Sequence, residues 1–373
     1  MEVELSEDQQ LFRDTAERFI LEKYPLSAVR QSLVSAPELS PDYWREVAEL
    51  GWFSLLVPED SGGGSLTGSG VADAAIVAEL RGRALQPGPF ASTNVVAWAL
   101  AHSTGETNSE VLNALIEGRE RAAWVGTDAR GHWNPGGSLT YETTADGWVL
   151  RGESGLVPEG SSADWLLVIA NGADGLHQFL ISSTLDGVAR MRLESLDPSQ
   201  VFTHVSFDAV EVPMTALCDI TPDQSRGIER QFQIAIILML ADTVGALDVL
   251  FGLTRQYALD RCAFGRPIGS FQSIKHQLAD MSLSLEAAKA VLAAAVASVD
   301  IDGPDCAQIV SMARAWLGDE GVVIAQGCFQ IFAGIGFTWE HDSHLFVRRV
   351  TMNGLLYGQA EWHRERVCGL SDL

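Results

Sequence analysis

Hydrophobic and polar positions along this chain fall into three successive textures. From the start to about residue 118 the spacing is helical. LSEDQQLFRDTAERFI places apolar side chains at 5, 11, 12, 16, 19 and 20, one face of a helix, with Ser6 positioned as its N-cap. PDYWREVAELGW repeats the amphipathic pattern with Pro41 in the first turn, where a missing N–H is harmless. The glycine-rich SGGGSLTGSG (61–70) interrupts the helices, and VADAAIVAELRGRAL resumes them. No Lys-Ser or Lys-Thr pair follows those glycines, so they read as a turn rather than a phosphate loop.

Between about 119 and 222 the period shortens. AAWVGT, LTYETT, GWVLRGE, DWLLVIA, HQFLIS and THVSFDAVEVP are short runs of β-branched and aromatic residues separated by Gly, Asp, Asn and Pro, which predicts strands. From 223 onward long segments with few breakers predict helices over 227–260, 270–299, 304–333 and 343–367. The chain therefore divides into a helical unit (1–118), a β unit (119–222) and a second helical unit (223–373), with no internal repeat.

Composition narrows the function classes. A formal charge of −24 opposes nucleic-acid backbones and anionic membrane surfaces. It leaves room for a phosphate-bearing cofactor held by a local arginine or by backbone N–H groups. Cys218, Cys262, Cys306, Cys328 and Cys368 are scattered without C-x-x-C spacing, which predicts reduced thiols and a cytoplasmic protein. MEVELSEDQQ has no basic or apolar leader pattern. The most apolar run, IAIILMLA, stops at Asp242, short of the roughly 20 residues a span needs, so it predicts a buried helix and no membrane insertion. His341 and His344 in WEHDSH lack a third cluster of ligands, and no metal site is expected.

Three stretches carry a resemblance. ELGWFSLLVPEDSGGGS, RQYALDRCAFGRPIGSFQSIKHQLADM and FQIFAGIGFTWEHDSHLFVRR are similar to segments of the acyl-CoA dehydrogenase family, and the helical–β–helical order matches over nearly the whole chain. The resemblance implies an α+β fold with an N-terminal helical domain, a central β-barrel or sandwich and a C-terminal four-helix bundle. It also implies FAD, an acyl-CoA substrate and an electron-transfer flavoprotein or similar acceptor. Such chemistry needs a carboxylate base over the α-carbon, a flavin ring beneath, hydrogen bonds to the thioester oxygen and an anchor for the ADP end of the cofactor.

The anchor positions are matched. In the family, the Arg and Phe of R-x-x-F-G and the Gln before the next helix reach a neighbouring subunit's FAD; here these are Arg261, Phe264 and Gln272, and Ile268 between them is expected to join the same cofactor contact. Gln330 and Gly334 match a second adenosine-side contact. Arg supplies a fork of donors suited to pyrophosphate, and Phe a ring face. The plainer alternatives are an Arg261 pair with Asp260 or Asp280, and Gln272 as a helix cap.

The local half of the site is unmatched. GTDARGHWNPGG keeps none of the family's flavin-facing run intact, Thr127 and Asp128 resembling relics of it at poor spacing, and Leu156 and Pro158 stand at the positions of its Trp-x-Thr. Proline has no N–H to donate. The two family positions for the catalytic Glu hold Ala235 and Tyr357. Glu229 lies six residues before Ala235, roughly 9 Å along a helix. Asp242 and Glu361 are the alternative carboxylates, Asp242 reading more simply as a packing carboxylate paired with an arginine.

The resulting expectation is a subunit without a catalytic residue of its own. It would form an α2β2 heterotetramer with a homologous subunit and clamp the ADP end of that partner's FAD, with steroid side-chain thioesters among the substrates the resemblance suggests. A self-sufficient homo-oligomer using Asp242 or Glu361, and a flavin-free scaffold, are the competing readings.

Overall fold

The computed structural model describes residues 5–33, 39–103, 106–220 and 223–371. The first four residues, the last two and residues 221–222, beside the second expected boundary, lie outside that set. Six helices come first: α1 (Glu7–Lys23), α2 (Leu26–Ser32), α3 (Pro41–Glu49), α4 (Gly70–Arg83), α5 (Phe90–Ala101) and α6 (Glu106–Ile116). Local chemistry explains their starts. Ser6 Oγ accepts from the Gln9 N–H while Gln9 Oε1 accepts from the Ser6 N–H, a reciprocal capping box. Ser40 caps α3 through the Tyr43 N–H, with Pro41 as its first residue. The buried stripe of α1 is narrower than the spacing predicts: Ala16 and Ile20 are buried, but Leu11 faces solvent.

Seven strands follow: β1 (Ala122–Val125), β2 (Leu139–Thr143), β3 (Gly147–Pro158), β4 (Trp165–Gly172), β5 (Gly175–Ser182), β6 (Val188–Leu193) and β7 (Phe202–Pro213). They form one mixed sheet in the order β1-β4-β2-β3-β7-β6, with β5 also paired to β4. β1 runs parallel to β4, and β3 pairs antiparallel with both β2 and β7. The sequence pattern misses β6, because VARMRL shows no buried alternation; it is held by backbone pairing to β7. The β3–β7 register shifts between Ser154 and Val157, and Leu156 sits in that irregularity with φ of 52°.

The last third contains α7 (Gln224–Asp260), a hairpin of β8 (Cys262–Ala263) and β9 (Arg266–Pro267), then α8 (Gln272–Asp300), α9 (Cys306–Phe332), α10 (Ser343–Asn353) and α11 (Ala360–Leu370). The continuous helix expected over 343–367 is thus two helices. Tyr357 (φ 54°) and Gly358 (φ 86°) take left-handed backbone between them, which no helix tolerates.

Helix α7 is the spine of the molecule, and residues 234–241 are all buried. It crosses α4 at backbone contact. A Cβ on Gly82 would lie 1.9 Å from the Asp242 carbonyl oxygen, and one on Gly245 would lie 2.0 Å from that of Glu79. By length and composition α7, α8 and α9 could each cross a bilayer. In α7 the apolar stretch is spent in the core, being 78% buried, whereas those of α8 and α9 are only 39% buried.

Candidate functional site

The positions matched to the family's flavin-facing run lie where the loop after β1, the end of β3 and α7 converge. Thr127 and Asp128 are committed within the loop. Thr127 Oγ1 is 2.8 Å from Ser154 Oγ and also bonds the Gly155 carbonyl. Asp128 Oδ1 accepts from the N–H groups of Arg130 and His132, both at 2.9 Å. The loop folds onto β3 so closely that a Cβ on Gly131, whose φ is 83°, would come within 2.5 Å of the Leu156 side chain.

This closure accompanies an aromatic stack between sheet and bundle. The Trp133 ring lies 4.8 Å from Trp124 and stacks on Phe232 of α7 at 4.3 Å, tilted by 11°. His363 of α11 lies parallel to Phe232 at 6.0 Å, and Tyr357 meets it edge-on at 6.4 Å. Phe232 stands one turn before Ala235, the position matched to a catalytic base. Inserting a flat ring between two others requires about 7 Å, twice the roughly 3.5 Å carbon contact distance. At 4.3 Å, the residues present do not fit an isoalloxazine between Trp133 and Phe232.

No carboxylate stands free beside the stack among the described candidates. Ala235 has no ionisable group, and burial pushes the Tyr357 hydroxyl far above its ordinary range. Glu229 Oε2 is bonded to Arg366 Nη2 at 2.6 Å, and its other oxygen accepts from Gln233. Glu361 is exposed and lies 3.3 Å from Arg364.

His363 fixes the turn before it: Nε2 bonds the Tyr357 carbonyl at 2.8 Å, so Nε2 carries the proton. Burial pulls its pKa down from 6.5 to about 4. The folded state therefore resists protonation that the unfolded chain accepts. Stability contributed by neutral His363 is complete above about pH 6.5 and falls as pH drops toward 4, by roughly 1.4 kcal/mol per pH unit. His363→Gln should flatten this part of the acid-denaturation profile; an unchanged profile would assign the acid sensitivity elsewhere.

A separate cavity of about 90 Å³ lies between the α4–α5 connection, the end of β3, α7 and α10, with Arg81, Glu159, Asp242, Arg349 and Asn353 in its wall. Asp242 is the packing carboxylate that the sequence suggests. Its Oδ2 accepts from Arg349 Nη1 at 2.9 Å and its Oδ1 from Asn353 Nδ2 at 2.9 Å. Arg349 also donates to Asp197 at 2.5 Å and Ser199 at 2.8 Å. Burial raises the pKa of Asp242 against the pull of Arg349, and raises that of Glu159 against backbone N–H groups from Val201 and Gly88. Drug-sized ligands occupy roughly 300–1,000 Å³, so this cavity is too small for one. Arg349 and Glu159 escape sequence reading, since each resembles an ordinary surface residue of a helix or a turn.

The matched anchor residues gather at the opposite character of surface. Arg261 ends α7, where its N–H caps the helix through the Tyr257 carbonyl, and its carbonyl accepts from the Ile268 N–H. Neither Asp260 nor Asp280 pairs with its guanidinium among the described residues. Phe264 and Gly265 form the hairpin tip with φ of 52° and 78°, the pairing a tight two-residue turn demands. A phenylalanine there is strained, yet its ring is 96% exposed. Ile268 instead packs inward against the bundle core. Gln272 opens α8 and is exposed, as are Gln330 at the end of α9 and Gly334 beyond it. The two ends adjoin, because Tyr257 packs on Phe332 at 5.1 Å between ring centres. Within the described residues no three His, Cys, Asp or Glu side chains are grouped to hold a metal, and all five cysteines are unpaired.

The family model described as acyl-CoA dehydrogenase, N-terminal domain, matches residues 6–119, and that of the C-terminal domain matches 226–368. The acyl-CoA dehydrogenase IpdE2 of Mycolicibacterium smegmatis is 30% identical over 355 residues, 95% of this chain and 96% of that protein. The acyl-CoA dehydrogenase FadE34 of Mycobacterium tuberculosis is 32% identical over 92% of this chain, which spans only 45% of FadE34's length. A chain of the Tcur3481–Tcur3483 steroid ACAD superposes with a TM-score of 0.86 at 25% identity, covering 98% of each chain. A chain of the ChsE4–ChsE5 complex of Mycobacterium tuberculosis shares the fold, with a TM-score of 0.88 at 23% identity over 100% of this chain and 99% of that one.

Proposed function

Because this chain belongs to the acyl-CoA dehydrogenase family, whose cofactor is FAD, we propose that it is the base-lacking subunit of a heteromeric acyl-CoA dehydrogenase. A homologous partner supplies the flavin pocket and the catalytic Glu, and this chain clamps the ADP end of the partner's FAD. The assembly removes the α-proton and β-hydride of an acyl-CoA thioester, and passes electrons to an electron-transfer flavoprotein or similar acceptor. The hydride-accepting chemistry is supplied by the partner's FAD. Three things are asked of this chain's residues: Arg261 donates to the pyrophosphate, Phe264 walls the adenosine, and Gln272, Gln330 and Gly334 shape the remaining edge.

The observation that carries this reading is the contrast between the two half-sites. The stack leaves 4.3 Å where an isoalloxazine needs about 7 Å, while the hairpin holds out a 96% exposed phenylalanine on strained backbone. Within the chain that ring meets only the edge of Phe271, at 6.3 Å between centres, among the described ring contacts; strained backbone that leaves a ring this open is expected where an outside ligand receives it. The proportions of FadE34 also support two units, since the part unmatched here is more than half of that protein. A CoA thioester of a steroid side chain is the substrate class proposed, on the likeness to the Tcur3481–Tcur3483 steroid ACAD. Asp242, with both oxygens bonded, and Glu361, paired on the surface, give the self-sufficient reading no support.

Co-purification with a related chain bearing an intact Trp-x-Thr and catalytic Glu tests the reading. The pair should be yellow and oxidise acyl-CoA with an artificial acceptor. Arg261→Ala should weaken FAD retention about 10- to 100-fold, the worth of one or two charge-assisted hydrogen bonds. Activity of this chain alone would sink the heteromer. Unchanged FAD retention in the Arg261→Ala pair would sink the clamp.

A further inference from the structure

The closed cleft has a consequence beyond the lack of a flavin site. We propose that the Trp133–Phe232 pair, with His363 and Trp124 around it, is a built-in substitute for a flavin ring: a protein-derived plug that keeps sheet and bundle apart at a fixed spacing and makes the fold of this chain independent of flavin. The proposal deepens the subunit reading and rests on it where a pair of unlike chains is invoked, while the stack itself is a feature of this chain's cleft.

Four observations converge on it. The contact is intimate, 4.3 Å between nearly parallel rings from residues 99 positions apart in sequence. Each member is anchored from behind. Trp133 is pinned by the isolated bridge between Thr127 and Trp133, and by the tightness of Gly126, where a Cβ would meet the Trp133 ring at 2.9 Å. Phe232 is fully buried, and the Arg366 guanidinium lies 5.3 Å from its ring centre, itself held by Glu229 at 2.6 Å. His363 is tied to the Tyr357 carbonyl at 2.8 Å, so the broken turn between α10 and α11 is locked to the stack.

The stack therefore links the three elements that would border a flavin ring: the loop after β1, α7 and the turn before α11. A bound aromatic cofactor orders such elements only when present. Side chains that stack in its place order them permanently, and a planar ligand can enter only by separating Trp133 from Phe232.

Titration of the purified chain alone with FAD tests the plug, read by quenching of flavin fluorescence and by thermal denaturation. Wild type should leave flavin fluorescence unquenched and show no FAD-dependent shift in Tm. A ligand present at 100 times its Kd would raise Tm by several degrees. Trp133→Ala and Phe232→Ala should each lower Tm by several degrees without added flavin, whereas Trp133→Phe, which keeps a flat ring, should recover most of the loss. Should the alanine variants fail to fold, the flavin-to-chain ratio of the assembled pair remains decisive: one flavin per pair of unlike chains supports the plug. Saturable FAD binding by the wild-type chain, or two flavins per pair, would overturn it. A ratio of one that is insensitive to Arg261→Ala would instead keep the plug and discard the clamp.

Discussion

Arg349→Ala is expected to destabilise the fold by about 3–5 kcal/mol, the loss typical of a buried ion pair stripped of one partner. The side chains of Arg349 and Asp197 are each 1% exposed, and that of Asp242 only 16%. Removing the guanidinium leaves two buried carboxylates without their shared cation, with Ser199 deprived of a donor as well. The variant should also acquire a distinctive pH dependence. Burial already raises the pKa of Asp242 with Arg349 in place, and without it only the Asn353 hydrogen bond and the more distant Arg81 charge oppose that rise. A carboxyl with a raised folded-state pKa stabilises the fold at low pH and loses that contribution as pH rises through its folded pKa. The deficit should therefore be larger at pH 7 than at pH 5, as measured by urea denaturation. Replacing the cluster together, as Asp197→Asn, Arg349→Met and Asp242→Asn, should recover much of the loss. A single variant as stable as wild type at both pH values would show that water, rather than this network, solvates the cavity.

Gly82→Ala is the second large effect expected. Its new Cβ would lie 1.9 Å from the Asp242 carbonyl oxygen, a backbone atom that cannot rotate away. Helices α4 and α7 must separate, at a cost of about 1–3 kcal/mol for overpacking a filled interface. Gly245→Ala meets the Glu79 carbonyl at 2.0 Å in the same crossing. Since either substitution opens the gap that the other needs, the double variant should cost less than the sum of the singles. Strict additivity, read from denaturation midpoints, would mean that the two glycines do not share one contact.

What the sequence makes legible follows the range of the interaction. Ser6 with Gln9, and Ser40 with Pro41, lie within one helical turn, so the starts of α1 and α3 can be read directly. The break between α10 and α11 cannot, because Tyr357 and Gly358 look no different from helix residues until their backbone turns left-handed. Strand β6 is hidden because its burial does not alternate and its backbone pairing to β7 is a tertiary contact. In the candidate site, the expected losses rest on residue identities alone: Leu156, Pro158, Ala235 and Tyr357 stand where the resemblance implies a Trp-x-Thr and a catalytic Glu. What fills the space instead is invisible, since Trp133, Phe232 and His363 are brought together only by tertiary packing. Arg349 is hidden for the same reason, its partners lying 107 and 152 residues away.

The sparsely covered faces of α8 and α9 carry one more implication, for how the chain is made. Leu283 of α8 is 73% exposed, and Met312 and Val323 of α9 are 52% and 57%. Exposed apolar area on this scale is a hazard for a protein alone in water. Molecules synthesised in excess of whatever covers these faces would self-associate or be degraded. The chain's abundance is then governed less by its own folding free energy than by the supply of its cover. A solubility assay in which the chain is expressed with increasing amounts of a partner would read out that dependence directly, as soluble yield saturating at a fixed ratio of the two.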